Sequence, residues 1–178
     1  MTDTPLKYNS TYKWFVLLTR SRAEKKVAES LKENNISVYL PVYNKLSHWS
    51  DRSKNVTLPL IASVIFVYTT EQQLPHILKL ASTVRVMKYL NKPAIVQDYE
   101  IENLKIMLQH TAHFEPIAPL NLKEGEMVTI SSGPFNGLQA TYIEHTGKYS
   151  VIVVLKALHT FFEVKVAANA IKKISVAV

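Results

Sequence analysis

The chain contains no cysteine. Disulfides, thiolate zinc sites and cysteine nucleophiles are therefore excluded, and the composition suits a bacterial cytoplasm. Glycine is scarce, at four in 178 residues, and there are eight prolines; fibrous and low-complexity classes do not fit. No apolar run approaches the roughly 20 residues of a membrane-spanning helix. The opening MTDTPLKYNSTYK lacks the apolar stretch of a secretory leader. The expectation is a soluble, cytoplasmic protein with no membrane partner. The six histidines are His48, His76, His110, His113, His145 and His159, and only His110 and His113 are close, with no paired acids nearby. Metal-ligand spacing, a Gly-rich phosphate loop and a nucleophile elbow are all missing. No catalytic residue, metal or cofactor is expected, and the chain does not read as an enzyme.

What is present is apolar material and positive charge. Hydrophobic residues make up 47% of the chain, enough for folded cores. The formal net charge is +7, and it is uneven: residues 1–110 carry 15 Lys/Arg against 9 Asp/Glu, and 111–178 carry 6 against 5. A basic front part suggests a polyanionic partner, although a solvated surface would look the same.

Tyr12–Leu18 is aromatic and β-branched and reads as a buried strand. Ser21 and Glu24 have the spacing of a capping box, followed by Ala23, Val27, Ala28 and Leu31 at helical spacing to about Asn34. Ile36–Val42 reads as a second strand. The polar stretch Asn44–Asn55 has the composition of a long hairpin tip. Val56–Leu60 and Ser63–Tyr68 read as strand pieces, and Thr70 opens a short helix whose first turn admits Pro75. Val84–Leu90 alternates like one strand, Ala94–Val96 like a short one, and Asp98 is placed to cap a last helix bearing Ile101, Leu104, Met107 and Leu108. This β-α-β-β-α-β-α order predicts an α+β, ferredoxin-like domain: an antiparallel sheet with helices on one face. Residues 111–122, with two prolines and no periodicity, read as a linker. Short strands then recur at Met127–Ser131, Leu138–Glu144, Tyr149–Lys156 and Phe161–Val166, which predicts a small β-barrel. The expected division is 8–110, a linker at 111–122, and 123–178.

Residues 123–144, KEGEMVTISSGPFNGLQATYIE, resemble the KOW motif of NusG-type transcription factors through Gly125, Val128, Ile130, the Gly133-Pro134-Phe135 turn and Gly137. The front part resembles the NusG N-terminal domain (NGN) through Trp14-Phe15-Val16, Glu24-Lys25-Lys26-Val27, Tyr39-Leu40-Pro41 and Pro59-Leu60-Ile61 leading to Phe66-Val67. Ala62, Ser63 and Val64 stand where the general factor has Pro-Gly-Tyr, and Ala140 stands where a KOW glycine is expected. Both departures resemble specialised paralogs such as UpxY and RfaH.

The resemblance implies an SH3-like KOW barrel at the C-terminus and a transcription elongation or antitermination role. It implies that Trp14, Leu60, Ile61, Val64 and Phe66 dock on the clamp helices of the largest RNA polymerase subunit, although strand residues such as Trp14 and Phe66 also suit a core. It implies that Arg20, Arg22, Lys25 and Lys26 meet the non-template DNA strand. His48, Trp49, Arg52 and Lys54 have the aromatic-and-cation composition of a nucleic-acid stacking platform. Phe135, Ile143, Phe161 and Phe162 correspond to a KOW face that would bind a ribosomal protein or the termination factor Rho, with core packing as the alternative. A different reading is a general nucleic-acid or ribosome-associated KOW protein that never touches polymerase. In RfaH-like relatives the C-terminal domain can be a helical hairpin; the Val/Ile-rich run Val151–Leu155 favours strand here.

Overall fold

A computed structural model describes residues 11–49, 52–81, 84–110, 125, 127–145, 148–166 and 170–173. In chain order the elements are β1 (Lys13–Leu18), α1 (Glu24–Glu33), β2 (Ser37–Tyr39), β3 (Val42–Trp49), β4 (Arg52–Pro59), β5 (Val64–Thr69), α2 (Leu74–Leu80), β6 (Arg85–Val86), β7 (Lys88–Tyr89), β8 (Lys92–Pro93), β9 (Ile95–Val96) and α3 (Asp98–His110). They are followed by β10 (Met127–Ile130), β11 (Gln139–His145), β12 (Lys148–Leu155), β13 (Thr160–Lys165) and β14 (Ile171–Lys173). The chain divides into two compact units, one spanning 1–40 with 62–95 and the other 41–61 with 96–178. The expected linker at 111–122 lies outside the described residues.

In the first unit the sheet order is β2-β5-β1-β6, and β5 pairs antiparallel with both β1 and β2. Two strand–helix–strand passes that interleave this way give the ferredoxin-like arrangement expected from the sequence. Alternation along the strands sends Phe15, Leu17, Ile65 and Val67 to one face. There they form a buried cluster with Val27 and Leu31 of α1 and Leu74 and Ile77 of α2. The opposite face is also apolar and also buried: Trp14, Val16, Val64, Phe66 and Tyr68 all lie in the interior.

Four local expectations change. The Ser21–Glu24 capping box does not form, because Arg22 takes a left-handed φ of 64° and places a turn between Ser21 and the helix. Ala23 stands at the N-cap position with no side-chain cap bond. Asn44–Asn55 is mostly strand rather than loop, since β3 and β4 pair from Val42↔Pro59 to Trp49↔Arg52. A backbone ladder does not require apolar side chains, and Thr57 Oγ1 donates to Asn44 Oδ1 at 2.8 Å across it. Val84–Leu90 is not one strand. Met87 donates to Val16 O at 2.9 Å and accepts from Ala94 N at 2.8 Å, after which the chain leaves the sheet as the β7–β8 hairpin. Asp98 opens α3 rather than capping it: the Gln97 N–H donates to Glu100 Oε2 at 2.7 Å, which is the glutamate half of a capping box.

The second unit contains the β3–β4 hairpin, α3 and a five-stranded antiparallel sheet ordered β13-β12-β11-β10-β14. Val128, Ile130, Leu138, Val153, Leu155, Phe162 and Val164 are buried in it, and Val151–Leu155 is strand as its β-branched composition predicts. Gly133 and Gly137 adopt φ of 80° and 88°, left-handed values that glycine tolerates without strain. This explains the Gly-Pro-Phe-Asn-Gly turn between β10 and β11. Two buried side chains of α3 bond the sheet's backbone. Asn103 donates through Nδ2 to Gln139 O at 2.6 Å and accepts from Gln139 N at 2.9 Å. Glu100 accepts from Lys156 N at 2.8 Å.

Candidate polymerase and nucleic-acid surfaces

The turn between β4 and β5 is built around a buried carboxylate. Glu24 is 3% exposed and accepts the Ser63 N–H at 2.7 Å, while Ser63 O accepts from Thr19 N at 2.8 Å. Ser63 has φ 61°, a value that favours glycine. An L-residue in this region is disfavoured by about 1–2 kcal/mol. Ser63→Gly is therefore expected to stabilise the chain by about 0.5–1 kcal/mol after the greater freedom of glycine in the unfolded chain is offset. A rise of a few degrees in the thermal midpoint would confirm it.

Around this turn, Ile61 is half-buried and Ala62 exposed, whereas Leu60 and Val64 are buried. Trp14 and Phe66, from the same docking set, lie in the aromatic second face of the first unit's sheet. Trp14 packs on Tyr68 with ring centroids 5.2 Å apart and on Tyr39 at 6.5 Å, and Tyr39 stacks on Phe66 at 6.3 Å. Trp14 Nε1 is buried with no hydrogen-bond partner among the described residues. The core alternative thus describes Trp14, Leu60, Val64 and Phe66 in this state, and only Ile61 of that set reaches the surface.

Arg20, Arg22, Lys25 and Lys26 are all exposed, and all lie in the turn before α1 or in its first helical turn. The positive end of a helix adds to their field, so this is a place where a phosphate is favoured. In the hairpin, the backbone sets Trp49 opposite Arg52, His48 opposite Ser53 and Ser47 opposite Lys54; the side chains of His48, Trp49, Arg52 and Lys54 lie outside the described residues.

On the C-terminal sheet, Phe135 is half-buried and lines a pocket of about 420 Å³ with Ile130, Pro134, Lys165, Val166 and Ala170. Phe161 is half-buried on β13 opposite Val154. Phe162 is fully buried and belongs to the core, and the side chain of Ile143 lies outside the described residues. Burial first, and Glu102 second, raises the Asp98 carboxyl above its usual range. Burial and Glu100 raise the Tyr99 phenol, with Lys156 opposing them. No cluster of three potential metal ligands occurs among the described residues, and no described helix is long and apolar enough to cross a membrane.

Sequence reasoning missed the role of Glu24 as the lock of the 60–64 turn, because a glutamate three residues after a serine is usually read as a cap. It also missed the β7–β8 hairpin. Its signal was the Leu90-Asn91 pair between Tyr89 and Lys92, a two-residue connection hidden inside an alternating run.

The chain is similar to the structure described as "Domain interaction in Thermotoga maritima NusG", at 20% identity over 93% of this chain and 99% of that one, with a TM-score of 0.49. It is also similar to "Crystal Structure of MjSpt4:Spt5 complex conformation B", at 20% identity over 92% and 97%, with a TM-score of 0.30. No curated protein matches it. The family profile described as "Transcription termination factor nusG" matches residues 12–105, more than half of the chain. The chain belongs to the NusG family of transcription factors.

Proposed function

We propose that the chain binds RNA polymerase during elongation and, as a specialised paralog of the UpxY or RfaH kind, keeps transcription of particular operons running through pauses or terminators. The observation that carries this reading is the second face of the ferredoxin-like sheet. A two-layer fold needs one apolar face, yet this sheet has two, and the second is aromatic: Trp14, Tyr39, Phe66 and Tyr68. Such a face suits the tip of a helical hairpin. Trp14, Val64 and Phe66 are buried in the free chain. Ile61 and Ala62 form the accessible rim. Arg20, Arg22, Lys25 and Lys26 then supply phosphate contacts to the displaced DNA strand, with His48, Trp49, Arg52 and Lys54 as a further nucleic-acid contact. The pocket at Phe135, with Phe161, is the place for a ribosomal protein or Rho. The action is one of binding: the factor lowers the free energy of the active elongation state by its differential affinity for it.

The test is capture of core polymerase by the full chain and by an Ile61→Glu/Ala62→Glu variant. Ala62 is exposed and Ile61 half-buried, so thermal melting first establishes that the variant is folded, and its capture of polymerase is then expected to fall at least tenfold. Undiminished capture by the folded variant would sink the docking assignment. It would favour the rival reading, a nucleic-acid or ribosome-associated KOW protein whose binding depends steeply on salt.

A further inference from the structure

The β7–β8 hairpin carries two features that folding does not explain. Its connection is the pair Leu90-Asn91 between the paired residues Tyr89 and Lys92. Both connecting residues have positive φ, 48° and 63°, the sign that the tight hairpin turn requires and that Asn-Gly or Gly-Gly normally supplies. Leucine in that region is disfavoured by about 1–2 kcal/mol. Leu90 is also 81% exposed, and Tyr89 beside it 59% exposed. A large apolar side chain at this tip therefore gains nothing by burial and strains the turn. Backbone strain held at an exposed tip points to a functional constraint. The charge along this stretch has one sign: between Glu71 and Asp98 the chain carries Lys79, Arg85, Lys88 and Lys92 and no acidic residue. Arg85, Lys88 and Lys92 are all exposed.

We propose that this tip is a nucleic-acid contact separate from the α1 turn, in which Tyr89 and Leu90 lie against the faces of unpaired bases while Lys88 and Lys92 meet the flanking phosphates. The partner follows from the chemistry. Cations without acids select a polyanion, and an aromatic and an aliphatic side chain side by side select one that offers flat apolar faces. A single strand offers both, whereas a duplex hides its base faces. The inference does not depend on polymerase docking, since it is read without polymerase.

The experiment measures binding of the full-length chain to a fluorescein-labelled single-stranded oligonucleotide by anisotropy, together with thermal melting of each variant. Tyr89→Ala is expected to weaken binding roughly five- to hundredfold, the range found when a stacking aromatic is removed. Leu90→Gly relieves the turn, so it is expected to raise the melting temperature and at the same time weaken binding several-fold. Lys88→Gln with Lys92→Gln should flatten the slope of log affinity against log salt by about 1.4, two single-strand phosphate contacts. A Leu90→Gly chain that is more stable and binds the oligonucleotide as tightly as the parent overturns the proposal. So does tip-dependent binding to blunt duplex, or to vesicles with anionic headgroups, without tip-dependent binding to the single strand.

Discussion

Replacing Glu100 with alanine is expected to loosen α3 from the C-terminal sheet and to destabilise that unit by about 2–4 kcal/mol. Glu100 is 1% exposed, and its two carboxylate oxygens serve two different backbone donors: Gln97 N at the start of its own helix and Lys156 N at the end of β12. Truncation removes a helix cap and a tertiary bond together, and each orphaned N–H retains its desolvation cost. Asn103→Ala acts on the same seam, freeing both the N–H and the C=O of Gln139. The two sites share a helix and a seam, so their effects should not be additive. Amide hydrogen exchange is the discriminating measurement. Gln97, Lys156 and Gln139 should exchange faster in the variants, while the amides of β1 and β5 keep their protection. Unchanged exchange at Lys156 in Glu100→Ala would show that the bond contributes nothing to holding the helix. The seam also bears on how the chain divides. The family profile ends at residue 105, within α3, yet the buried Glu100 and Asn103 of this helix bond backbone of the C-terminal part.

Phe15→Ala is expected to cost about 3–5 kcal/mol, the usual range for emptying a well-packed aromatic site. Phe15 is at the centre of β1, fully buried among Leu17, Leu31, Ile65, Ile77 and other members of the helix-covered cluster. The sheet and two helices meet there, so the site cannot collapse without moving several elements at once. A single domain has only about 5–15 kcal/mol of stability in all, so the variant should melt far below the parent in a denaturant titration and expose the β1 amides. An equally truncating change at the surface of α1, Lys26→Ala, should leave the midpoint within about 0.5 kcal/mol of the parent. If Phe15→Ala unfolded at the parent's midpoint, the cluster would not be the core of the first unit.

Much of this architecture was legible in the residues. The alternation of Trp14-Phe15-Val16-Leu17, the 3.6-residue spacing of Val27, Ala28 and Leu31, the prolyl first turn at Pro75 and the paired glycines at 133 and 137 each have a local physical cause. Each therefore survives in the structure. The β-branched run at 151–155 likewise made strand the expected state of the C-terminal part. The proposed polymerase docking and DNA contact rest on resemblance, because an apolar strand residue has the same pattern whether a core or a partner receives it.

What the chain by itself determined was the order of its elements, two sheets in sequence, and an excess of cations in its front part, since propensity, periodicity and charge are properties of neighbouring residues. Tertiary structure decided the rest. Whether Glu24 capped its own helix or held the Ser63 turn, whether Val84–Leu90 ran straight or broke at Met87 to raise the Tyr89–Leu90 tip, and where Asn103 and Glu100 directed their hydrogen bonds all depended on groups distant in sequence. A polar side chain bonds whichever donor or acceptor the completed fold brings within about 3 Å, and local spacing carries no information about that.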